Sequence, residues 1–301
     1  MRILVTDGMD KTAMAQLREM GHEVVEQFYE PDQLGAALKD FDAVVVRSKT
    51  KVRANHIDEA KTGKLKLIIR GGVGVDNIDV KYAESCGITV KNTPRASSQS
   101  VAELAMGHMF SCARYLSIAG HTMREDKWEK KAYGKGIELQ GKTLGIVGFG
   151  RIGQHLGVMA KAIGMKVVAF DIFHIPGIEE QLGIPYVEMD DLLAQADFVS
   201  VHAPAVDGGA LISAENIAKM KDGVVIINTS RGTNVDEAAL LAALESGKVR
   251  AAGLDVYADE PATNKALYSH PMVSCTPHIG AATVEAQERI GAEIVEIIKN
   301  F

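Results

Sequence analysis

The sequence lacks the features that mark several classes of protein. Its three cysteines, Cys86, Cys112 and Cys275, lie far apart without CxxC spacing, so we expect neither disulfides nor a structural zinc site. No apolar run approaches the roughly 20 residues that a membrane-spanning helix needs. The net charge of -6 argues against a broad nucleic-acid surface, because such surfaces are usually basic. These absences predict a cytoplasmic globular protein that binds neither nucleic acid nor membrane and has no metal site.

Short apolar segments alternate with amphipathic helical patterns along nearly the whole chain. The apolar segments are RILVT, HEVVE, DAVVV, LKLII, GITVKN, KTLGIVG, KVVAFD, DFVSVH, GVVIIN, AAGLDV and MVSCTP. Strands that are apolar on both faces and alternate with helices indicate parallel sheets covered on both sides, and hence an α/β fold. These segments are too many for one sheet of typical size, so we predict two α/β units.

Two further segments bear on how the units are joined. A long helical pattern runs from about residue 97 to about residue 118. Residues 119–141 are polar, show no clear period and contain the single tryptophan, Trp128, so they are the predicted boundary region. The last helical pattern, AATVEAQERIGAEIVEIIKN, follows the last apolar segment. If this helix packs against the first unit, that unit is discontinuous in sequence.

Residues 141–171 contain a dinucleotide-binding signature. The strand segment LGIV runs into Gly148, Gly150 and Gly153, which form G-x-G-x-x-G before a helical stripe and a second strand that ends in Asp171. The glycines allow a tight turn, close approach of the backbone to a pyrophosphate, and close packing of helix on strand. Asp171 can accept hydrogen bonds from the adenosine ribose, and no Arg or Lys at 172–176 would receive a 2′-phosphate. The signature therefore predicts NAD rather than NADP as the cofactor.

A similar stretch, GGVGVDNID at residues 71–79, follows the strand segment LKLII. It is not predicted to be a second dinucleotide site, because Asn77 stands where the third glycine would be. Its glycines could instead expose backbone amides to a small anion. An ordinary strand–helix turn explains the stretch equally well.

Three later strand segments end in residues suited to the oxidation of an alcohol. They lead to Arg231, to Asp255 and Glu260, and to His278. The carboxyl ends of parallel strands meet at one edge of the sheet, where ligands of α/β proteins bind. A histidine can accept the hydroxyl proton, a neighbouring carboxylate can orient its ring, and an arginine can hold a substrate carboxylate. Taken singly, each residue also fits a structural role, and their shared position is what favours chemistry.

The segment VRSKTKVR, residues 46–53, carries four cations at alternate positions: Arg47, Lys49, Lys51 and Arg53. In an extended chain these side chains share one face. The segment directly follows the strand segment DAVVV, and Arg70 closes the next one. A local basic cluster at a ligand edge of an acidic chain favours a focused anion site, with a solvated edge as the alternative.

Taken in order, these segments resemble the D-isomer-specific 2-hydroxyacid dehydrogenases, and among them the phosphoglycerate dehydrogenases. The likeness covers essentially the whole chain and is carried by VRSKTKV, IIRGGVGVDNID, NTPRASSQSVAEL, ELQGKTLGIVGFGRIG, INTSRG, LDVYADEP and TPHIGAAT. It implies two Rossmann-like domains, each a doubly wound parallel sheet, with the active site in the cleft between them. It also implies a substrate domain at residues 1–94 and 280–301, an NAD-binding domain at 95–279, and a homodimer formed through the NAD-binding domain.

The resemblance further implies a role for individual residues. Arg231 holds the substrate carboxylate and carbonyl, His278 is the acid–base group, and Glu260 is the partner of that histidine. The implied cofactor-binding residues are Gly148, Gly150, Arg151, Ile152, Gly153, Asp171, His202, Ala203, Pro204, Thr229, Asp255 and Gly280. The implied substrate-binding residues are Arg47, Lys51, Arg70, Val73, Gly74 and Asn92, while Lys49 and Arg53 are expected to face water.

The chain also departs from the family pattern. The segment HAPAVDGGALI after His202 is shorter than in many relatives and lacks their threonines, and Ser97 stands where many have asparagine. The chain stops soon after the last helical pattern, so a C-terminal regulatory domain is not expected. The implied reaction interconverts 3-phospho-D-glycerate and 3-phosphohydroxypyruvate with NAD, as in serine biosynthesis. The alternatives are glyoxylate, hydroxypyruvate or another D-2-hydroxyacid as substrate, and an NAD-sensing protein similar to the family's corepressors.

Overall fold

A computed structural model describes residues 1–206 and 208–301, and it divides the chain into two compact units. Unit 1 comprises Met1–Ser97 and Ala281–Phe301, and unit 2 comprises Ser98–Gly280. The sequence predicted the domain limits between residues 94 and 95 and between residues 279 and 280. Asp207, part of the shortened loop that is predicted to alter cofactor contacts, lies outside the described residues.

The apolar segments of the sequence all form strands. The strands are β1 (Arg2–Val5), β2 (Glu23–Glu26), β3 (Ala43–Val46), β4 (Leu67–Arg70), β5 (Thr89–Asn92), β6 (Thr143–Val147), β7 (Lys166–Phe170), β8 (Phe198–Val201), β9 (Val224–Asn228), β10 (Val249–Leu254) and β11 (Val273–Cys275). Every pairing between neighbouring strands is parallel. The predicted α/β fold with doubly wound parallel sheets is therefore confirmed.

Helices fill most of the connections between the strands. They are α1 (Lys11–Glu19), α2 (Pro31–Leu38), α3 (Ala54–Ala60), α4 (Val80–Ser85), α5 (Ser98–Arg114), α6 (Leu116–Arg124), α7 (Arg151–Ala162), α8 (Ile178–Leu182), α9 (Met189–Gln195), α10 (Ala214–Lys219), α11 (Glu237–Glu245), α12 (Lys265–Tyr268) and α13 (Val284–Lys299), with a 3-10 helix at Gly232–Asn234. Within residues 1–206 and 208–301, no helix is both long and apolar enough to cross a membrane.

The sheet of unit 1 has the strand order β2-β1-β3-β4-β5. The order of the chain reverses between β1 and β3, and such a switch point opens a crevice at the carboxyl edge of a doubly wound sheet. Successive strand residues point to opposite sides of the sheet, and here both sides are apolar. Helices therefore cover both faces. Leu17 of α1 and Ile294 of α13 pack on one face, and Leu38 of α2 and Ile57 of α3 pack on the other.

The C-terminal helix α13 lies close against α1. A Cβ on Gly291 would stand 2.8 Å from the Cβ of Ala13, so only glycine permits this approach of the two helices. Thr283 caps α13 by accepting a hydrogen bond from Ala286 N at 3.1 Å. The helix thus completes the face of a sheet whose strands all come from the N-terminal segment.

Unit 2 contains the second sheet, with the order β11-β10-β9-β8-β6-β7. Its switch point lies between β6 and β8. One face carries α5 and α7, with Ile146 and Phe198 in their core, and the other carries α9, α10 and α11, with Val147 and Ile226. Strands β9, β10 and β11 are neighbours, so the loops that follow them open at the same edge.

The prediction of one helix over residues 97 to 118 was wrong. The helix is broken at Tyr115, which has a φ of 60°, and α6 begins after it. Arg250 donates to the Tyr115 hydroxyl at 2.8 Å, and this hydroxyl donates to Lys135 O at 3.2 Å. These contacts join the tyrosine side chain to β10 and to the segment after α6.

The prediction of a boundary region at residues 119–141 was also wrong, because this segment belongs to unit 2. Part of it is α6, and the rest folds back on α5. The amide of Ile137 donates to Ala113 O at 3.0 Å, and Leu139 is buried in the core with Ala113. A few buried anchors are enough to fix a polar segment to the domain, and they are not visible in its average composition.

Candidate active site

The glycine turn joins β6 to α7. Gly148 has a φ of 95°, and its amide donates to Phe170 O at 2.8 Å. A Cβ on Gly148 would lie 2.5 Å from Ala203 N, and a Cβ on Gly153 would lie 2.5 Å from Gly148 O. A Cβ on Gly150, by contrast, would meet no heavy atom within 4 Å among the described residues other than its chain neighbours. Gly148 and Gly153 are required by packing, whereas Gly150 leaves open space where a pyrophosphate binds in this fold.

Asp171 lies directly after β7, next to this turn. Its Oδ2 accepts from Phe149 N at 2.6 Å and its Oδ1 accepts from Phe173 N at 3.0 Å. The backbone therefore holds the carboxylate in place, and each oxygen keeps acceptor capacity for a ribose hydroxyl. Of the other two predicted residues here, Arg151 is exposed at the first position of α7, and Ile152 packs half-buried against the core.

The segment after β8 passes beside the glycine turn. His202 Nε2 lies 2.8 Å from Ser200 Oγ, and burial lowers the pKa of His202 to about 3, so its ring is neutral. The buried Asn234 donates from Nδ2 to Ala203 O at 2.9 Å and to Pro204 O at 3.2 Å. Asn234 was missing from the predicted site, because nothing in the local sequence shows that its amide reaches a different loop.

The residues of unit 2 fit a bound NAD. Thr229, which follows β9, is 7% exposed, and its buried Oγ1 has no hydrogen-bond partner among the described residues. An unpaired buried hydroxyl is costly, and a polar group of a bound cofactor would satisfy it. Together with the open space at Gly150 and the anchored carboxylate of Asp171, this hydroxyl forms part of a site for the dinucleotide.

Arg231 follows β9 at the start of the 3-10 helix. Its Nη1 donates to Ser230 O at 2.7 Å, and Asn228 Nδ2 donates to the Arg231 carbonyl at 2.8 Å. A Cβ on Gly232 would lie 1.8 Å from Tyr257 O, so only glycine lets this loop pack directly on the loop after β10. The close approach brings Arg231 to the loop that carries the predicted glutamate.

A hydrogen bond joins the side chains of His278 and Glu260. The distance from His278 Nδ1 to Glu260 Oε2 is 2.7 Å, and each side chain is 39% exposed. Partial burial raises the pKa of Glu260, but the hydrogen bond and charge of His278, with smaller effects of the Tyr257 amide and Arg231, bring it below its ordinary value. Glu260 is therefore a carboxylate at neutral pH. The structure brings all three predicted catalytic residues together within unit 2.

Asp255 follows β10 and is only 1% exposed. Its Oδ1 accepts from Thr276 Oγ1 at 2.6 Å and from Ile279 N at 2.8 Å, and its Oδ2 accepts from Gly280 N at 2.8 Å. The carboxylate thus holds the loop on which His278 lies. Its predicted contact with the nicotinamide, and that of Gly280 with the cofactor, remain predictions.

Unit 1 has a cleft of about 400 Å³ at its switch point. Lys49 lies over the ring of Phe28, with 3.7 Å from Nζ to the ring centroid. The residues that line the cleft are Thr6, Asp7, Phe28, Arg47, Ser48 and Lys49. Asp7 shapes the loop, since it accepts from Arg47 N at 2.8 Å, Thr50 N at 2.9 Å and Thr50 Oγ1 at 2.6 Å.

The four alternating cations have different surroundings. Lys49 and Lys51 are both exposed, but Lys49 lines the cleft with Arg47, whereas Lys51 does not. Arg53 does not simply face water, because its Nη1 donates to Asp79 Oδ1 and to Asp76 O, both at 3.0 Å. Asp79 also accepts from Ala54 N at 2.7 Å, so its bond with Arg53 belongs to the contacts that fix the start of α3.

The remaining predicted substrate residues are Arg70 and Asn92, which end β4 and β5, and Val73 and Gly74, which lie in the loop after β4. Arg70 Nη1 donates to Gly71 O at 3.2 Å. Asn92 Nδ2 donates to Val73 O at 2.5 Å, next to the half-buried Gly74.

Asn77 ties the turn at residues 71–79 to the basic segment. Its Nδ2 donates to Arg47 O and to Thr50 O, both at 2.7 Å. A glycine at this position, as in a dinucleotide turn, could not make these bonds. The turn thus has a structural role in shaping the cleft, and anion binding by the amides of Val73 and Gly74 remains a prediction.

A strand–glycine turn–helix unit with an anchored Asp171, and a His278–Glu260 pair beside Arg231, are typical of nicotinamide-dependent oxidoreductases. Residues 106–280 match the NAD-binding domain of the D-isomer specific 2-hydroxyacid dehydrogenases. The chain belongs to this family of NAD-dependent enzymes, so the predicted family, enzyme class and cofactor are confirmed.

Relatives in the family act on different substrates. The hydroxypyruvate reductase of Thermotoga maritima is 49% identical over 303 residues, which cover 99% of this chain and 97% of the relative. The D-3-phosphoglycerate dehydrogenase of Methanocaldococcus jannaschii is 44% identical over 300 residues, and this chain spans only 57% of that relative's length. Both reactions are therefore represented among close relatives.

Solved structures of similar sequence have the same architecture. The TT0316 protein of Thermus thermophilus is 35% identical and superposes with a TM-score of 0.87 over 98% of this chain and 95% of that chain. The D-lactate dehydrogenase of Aquifex aeolicus, solved in complex with NAD and lactic acid, is 30% identical, with a TM-score of 0.86 over 99% and 94%.

Proposed function

We propose that this protein is a phosphoglycerate dehydrogenase that interconverts 3-phospho-D-glycerate and 3-phosphohydroxypyruvate. The observation that carries the proposal is the cleft at the switch point of unit 1, which Arg47 and Lys49 both line. Ligands of doubly wound folds bind at such switch points. These two cations outnumber the one carboxylate of the lining, Asp7, which already accepts hydrogen bonds from Arg47 N and Thr50. The cleft therefore favours an anionic group, and a substrate phosphate has this chemistry. The proposed set of cations also includes Lys51 and Arg70, which lie outside the lining of the cleft.

His278 is the acid–base group of the proposed reaction. Because Nδ1 is engaged by Glu260 at 2.7 Å, Nε2 is the nitrogen that exchanges a proton with the substrate. As the hydroxy acid is oxidised, Nε2 takes the hydroxyl proton while the C2–O bond becomes a carbonyl. Bound NAD supplies the acceptor for the hydride that leaves C2. In the reverse direction the imidazolium returns its proton to the carbonyl oxygen.

Arg231 orients the substrate in this proposal. A guanidinium can hold a carboxylate through two parallel hydrogen bonds, and its charge also favours the developing oxyanion during reduction. The proposal includes backbone amides at Val73 and Gly74 as further donors to the carboxylate, with Asn92 beside them. The hydrogen bond from Asn92 to Val73 O, at 2.5 Å, supports a fixed backbone at that place.

A second candidate function is the reduction of hydroxypyruvate. It is favoured by the relative of that name, which is 49% identical and matches nearly the full length of both chains. The catalytic chemistry is the same, since both substrates are 2-oxo acids that differ in the phosphate. If hydroxypyruvate is the substrate, the cations of the cleft do not bind a substrate phosphate and have another role.

The two candidates are separated by a panel of kcat/KM values. Purified protein is assayed with NADH and with 3-phosphohydroxypyruvate, hydroxypyruvate or glyoxylate, and in the other direction with NAD and 3-phospho-D-glycerate. We expect the phosphorylated substrate to have the highest kcat/KM. Efficient reduction of hydroxypyruvate without turnover of either phosphorylated compound would instead establish the second candidate. The His278→Asn variant, assayed in parallel, shows that any turnover belongs to this site.

We further propose that the protein is a cytoplasmic homodimer that associates through unit 2. Four large apolar side chains on α5, α6 and the following segment are exposed: Phe110, Leu116, Met123 and Trp128, with exposed fractions of 39%, 57%, 53% and 80%. Apolar residues gathered on one segment of the surface are typical of an interface. The free state of Cys86, Cys112 and Cys275 suits a reducing compartment.

A further inference from the structure

A chain of polar side chains lies behind the loop that carries His278. His108, in α5, is 3% exposed, and its Nδ1 lies 3.0 Å from Ser274 Oγ. Its Nε2 lies 3.0 Å from Thr276 Oγ1, and the Thr276 hydroxyl donates to Asp255 Oδ1 at 2.6 Å. The proposed reaction makes no direct use of His108, Ser274 or Thr276. All of these residues belong to unit 2.

The direction of each hydrogen bond follows from the protons that are available. A carboxylate has only acceptors, so the single hydroxyl proton of Thr276 goes to Asp255. Thr276 Oγ1 must then accept from His108, which assigns the ring proton to Nε2. Burial lowers the pKa of His108, and the charge of Asp255 offsets this only in part, so the ring is neutral and its Nδ1 accepts from Ser274. The chain thus runs from Ser274 through His108 and Thr276 to Asp255.

The end of this chain fixes the backbone on both sides of His278. The Asp255 carboxylate accepts from Ile279 N and Gly280 N, both at 2.8 Å, and the Asp255 carbonyl accepts from His278 N at 2.8 Å. His278 has a φ of 53°, a conformation that is uncommon for a residue with a Cβ. Such a conformation persists only where neighbouring contacts determine it.

We propose that His108 and Thr276 are positioning residues for His278. They hold the Asp255 carboxylate, which in turn keeps the loop in the conformation from which the imidazole reaches the substrate. Glu260 orients the ring, whereas the buried chain sets the backbone that carries it. The inference rests on the proposed acid–base role of His278 and identifies what holds that residue in place.

The test compares Thr276→Val with Thr276→Ser. Valine has nearly the shape of threonine but lacks the hydroxyl, whereas serine keeps it. We expect Thr276→Val to lower kcat by about tenfold or more, because displacements of about 1 Å at a reacting group can have effects of that size. The KM for NADH should stay near that of the unmodified protein, since the glycine turn is not touched. Thr276→Ser should restore most of kcat.

A kinetic isotope effect adds a readout that a merely structural role would not change. Reduction is measured with NADH and with NADH deuterated at the transferred position. If Thr276→Val slows the chemical step, the isotope effect on kcat increases, and Thr276→Ser returns it to the original value. An unchanged kcat and isotope effect in folded Thr276→Val would overturn the proposal.

Two further variants separate positioning from stability. Thr122→Val removes another buried hydroxyl of unit 2, which bonds to Ala119 O and Tyr133 Oη, and should leave kcat unchanged. The double variant His108→Leu with Thr276→Val removes donor and acceptor together, so no buried N–H is left unpaired. We expect the double variant to regain thermal stability relative to Thr276→Val while its kcat stays low. Recovery of kcat together with stability would contradict a positioning role. If Thr276→Val does not fold, the double variant carries the test.

The two variants His278→Asn and Thr276→Val test the acid–base role and the positioning role separately. Near-normal turnover of His278→Asn would refute the acid–base role itself. Loss of activity in His278→Asn with full activity in Thr276→Val would refute only the positioning role of the buried chain. Loss in both variants, with rescue by Thr276→Ser, supports both.

Discussion

His278 Nδ1 lies 2.7 Å from Glu260 Oε2, although the two residues follow different strands. The pair forms because β9, β10 and β11 are neighbours in the sheet, so their following loops meet at one edge. Arg231 comes from the first of these loops, Glu260 from the second and His278 from the third. The charge of Arg231 contributes to the lowered pKa of Glu260, so Arg231 lies close enough to this pair to act on it electrostatically.

The first prediction concerns the roles of the two members of this pair. Replacement of His278 by Asn should lower kcat by about 10²-fold or more, the usual contribution of general acid–base catalysis, with little change in NADH binding. Glu260→Gln should have a smaller effect, because the proton carrier is retained and only its orientation and charge stabilisation are lost. Stopped-flow turnover and NADH fluorescence titration measure the two properties. Equal activity of His278→Asn and the unmodified protein would contradict the assignment.

The second prediction is a pH dependence of stability. The pKa of Glu260 lies below its ordinary value of 4.5 in the folded protein. A carboxyl group of this kind contributes stability above its unfolded pKa and loses that contribution as the pH falls through its folded pKa. The difference in free energy of unfolding between the protein and Glu260→Gln should therefore be larger at about pH 6 than at about pH 3.5. Urea denaturation measures this difference, and a pH-independent value would argue against the hydrogen bond between His278 and Glu260.

The third prediction distinguishes the glycines of the dinucleotide turn. Gly148→Ala should lower the free energy of unfolding by at least about 1 kcal/mol, because φ is positive and the new Cβ would lie 2.5 Å from Ala203 N. Gly150→Ala should leave the melting temperature unchanged, since among the described residues only chain neighbours come within 4 Å of the added carbon. It should nevertheless weaken NADH binding by about tenfold, because a methyl group enters the space for the pyrophosphate. Calorimetry and NADH titration test the pair, and unweakened binding by Gly150→Ala would contradict it.

The fourth prediction tests which lysine of the basic segment serves the substrate. Lys49 lines the cleft with Arg47, whereas Lys51 does not, so Lys49→Gln should raise the KM for phosphorylated substrate more than Lys51→Gln. Neither change should alter the KM for hydroxypyruvate, which has no phosphate. Arg53→Gln is the matched control, because its loss breaks the bond to Asp79 and should affect stability and not KM. A greater effect of Lys51→Gln would favour the choice made from the sequence.

The fifth prediction concerns assembly. A charge introduced at an apolar interface is costly to bury, so Met123→Glu should convert the proposed dimer to a monomer. Val284→Glu is the control, since Val284 is 72% exposed and lies in unit 1. Light scattering after size-exclusion chromatography measures the mass, and the fluorescence of Trp128 should shift to longer wavelength when the dimer dissociates. A monomeric unmodified protein would contradict the proposal.

Local patterns in the sequence were sufficient for the strands and the glycine turn, and for the position of Arg231, Glu260 and His278 after neighbouring strands. An apolar run defines a buried strand whatever surrounds it, and the glycine spacing has a local cause in the backbone of the turn. The order in which Arg231, Glu260 and His278 follow successive strands also follows from the chain. The long helical pattern did not reveal the break at Tyr115, whose hydroxyl bonds to Lys135 O and Arg250, residues that lie far along the chain.

Tertiary structure alone decided which polar side chains meet. The hydrogen bonds that join His108 to Thr276 and Asn77 to the basic segment connect residues that are far apart along the chain, so no local pattern indicates them. The same holds for Lys49, which belongs to the cleft because Phe28 of another loop lies under it. Hydrogen bonds and ring contacts depend on distances of a few ångströms, and only the packed fold sets these.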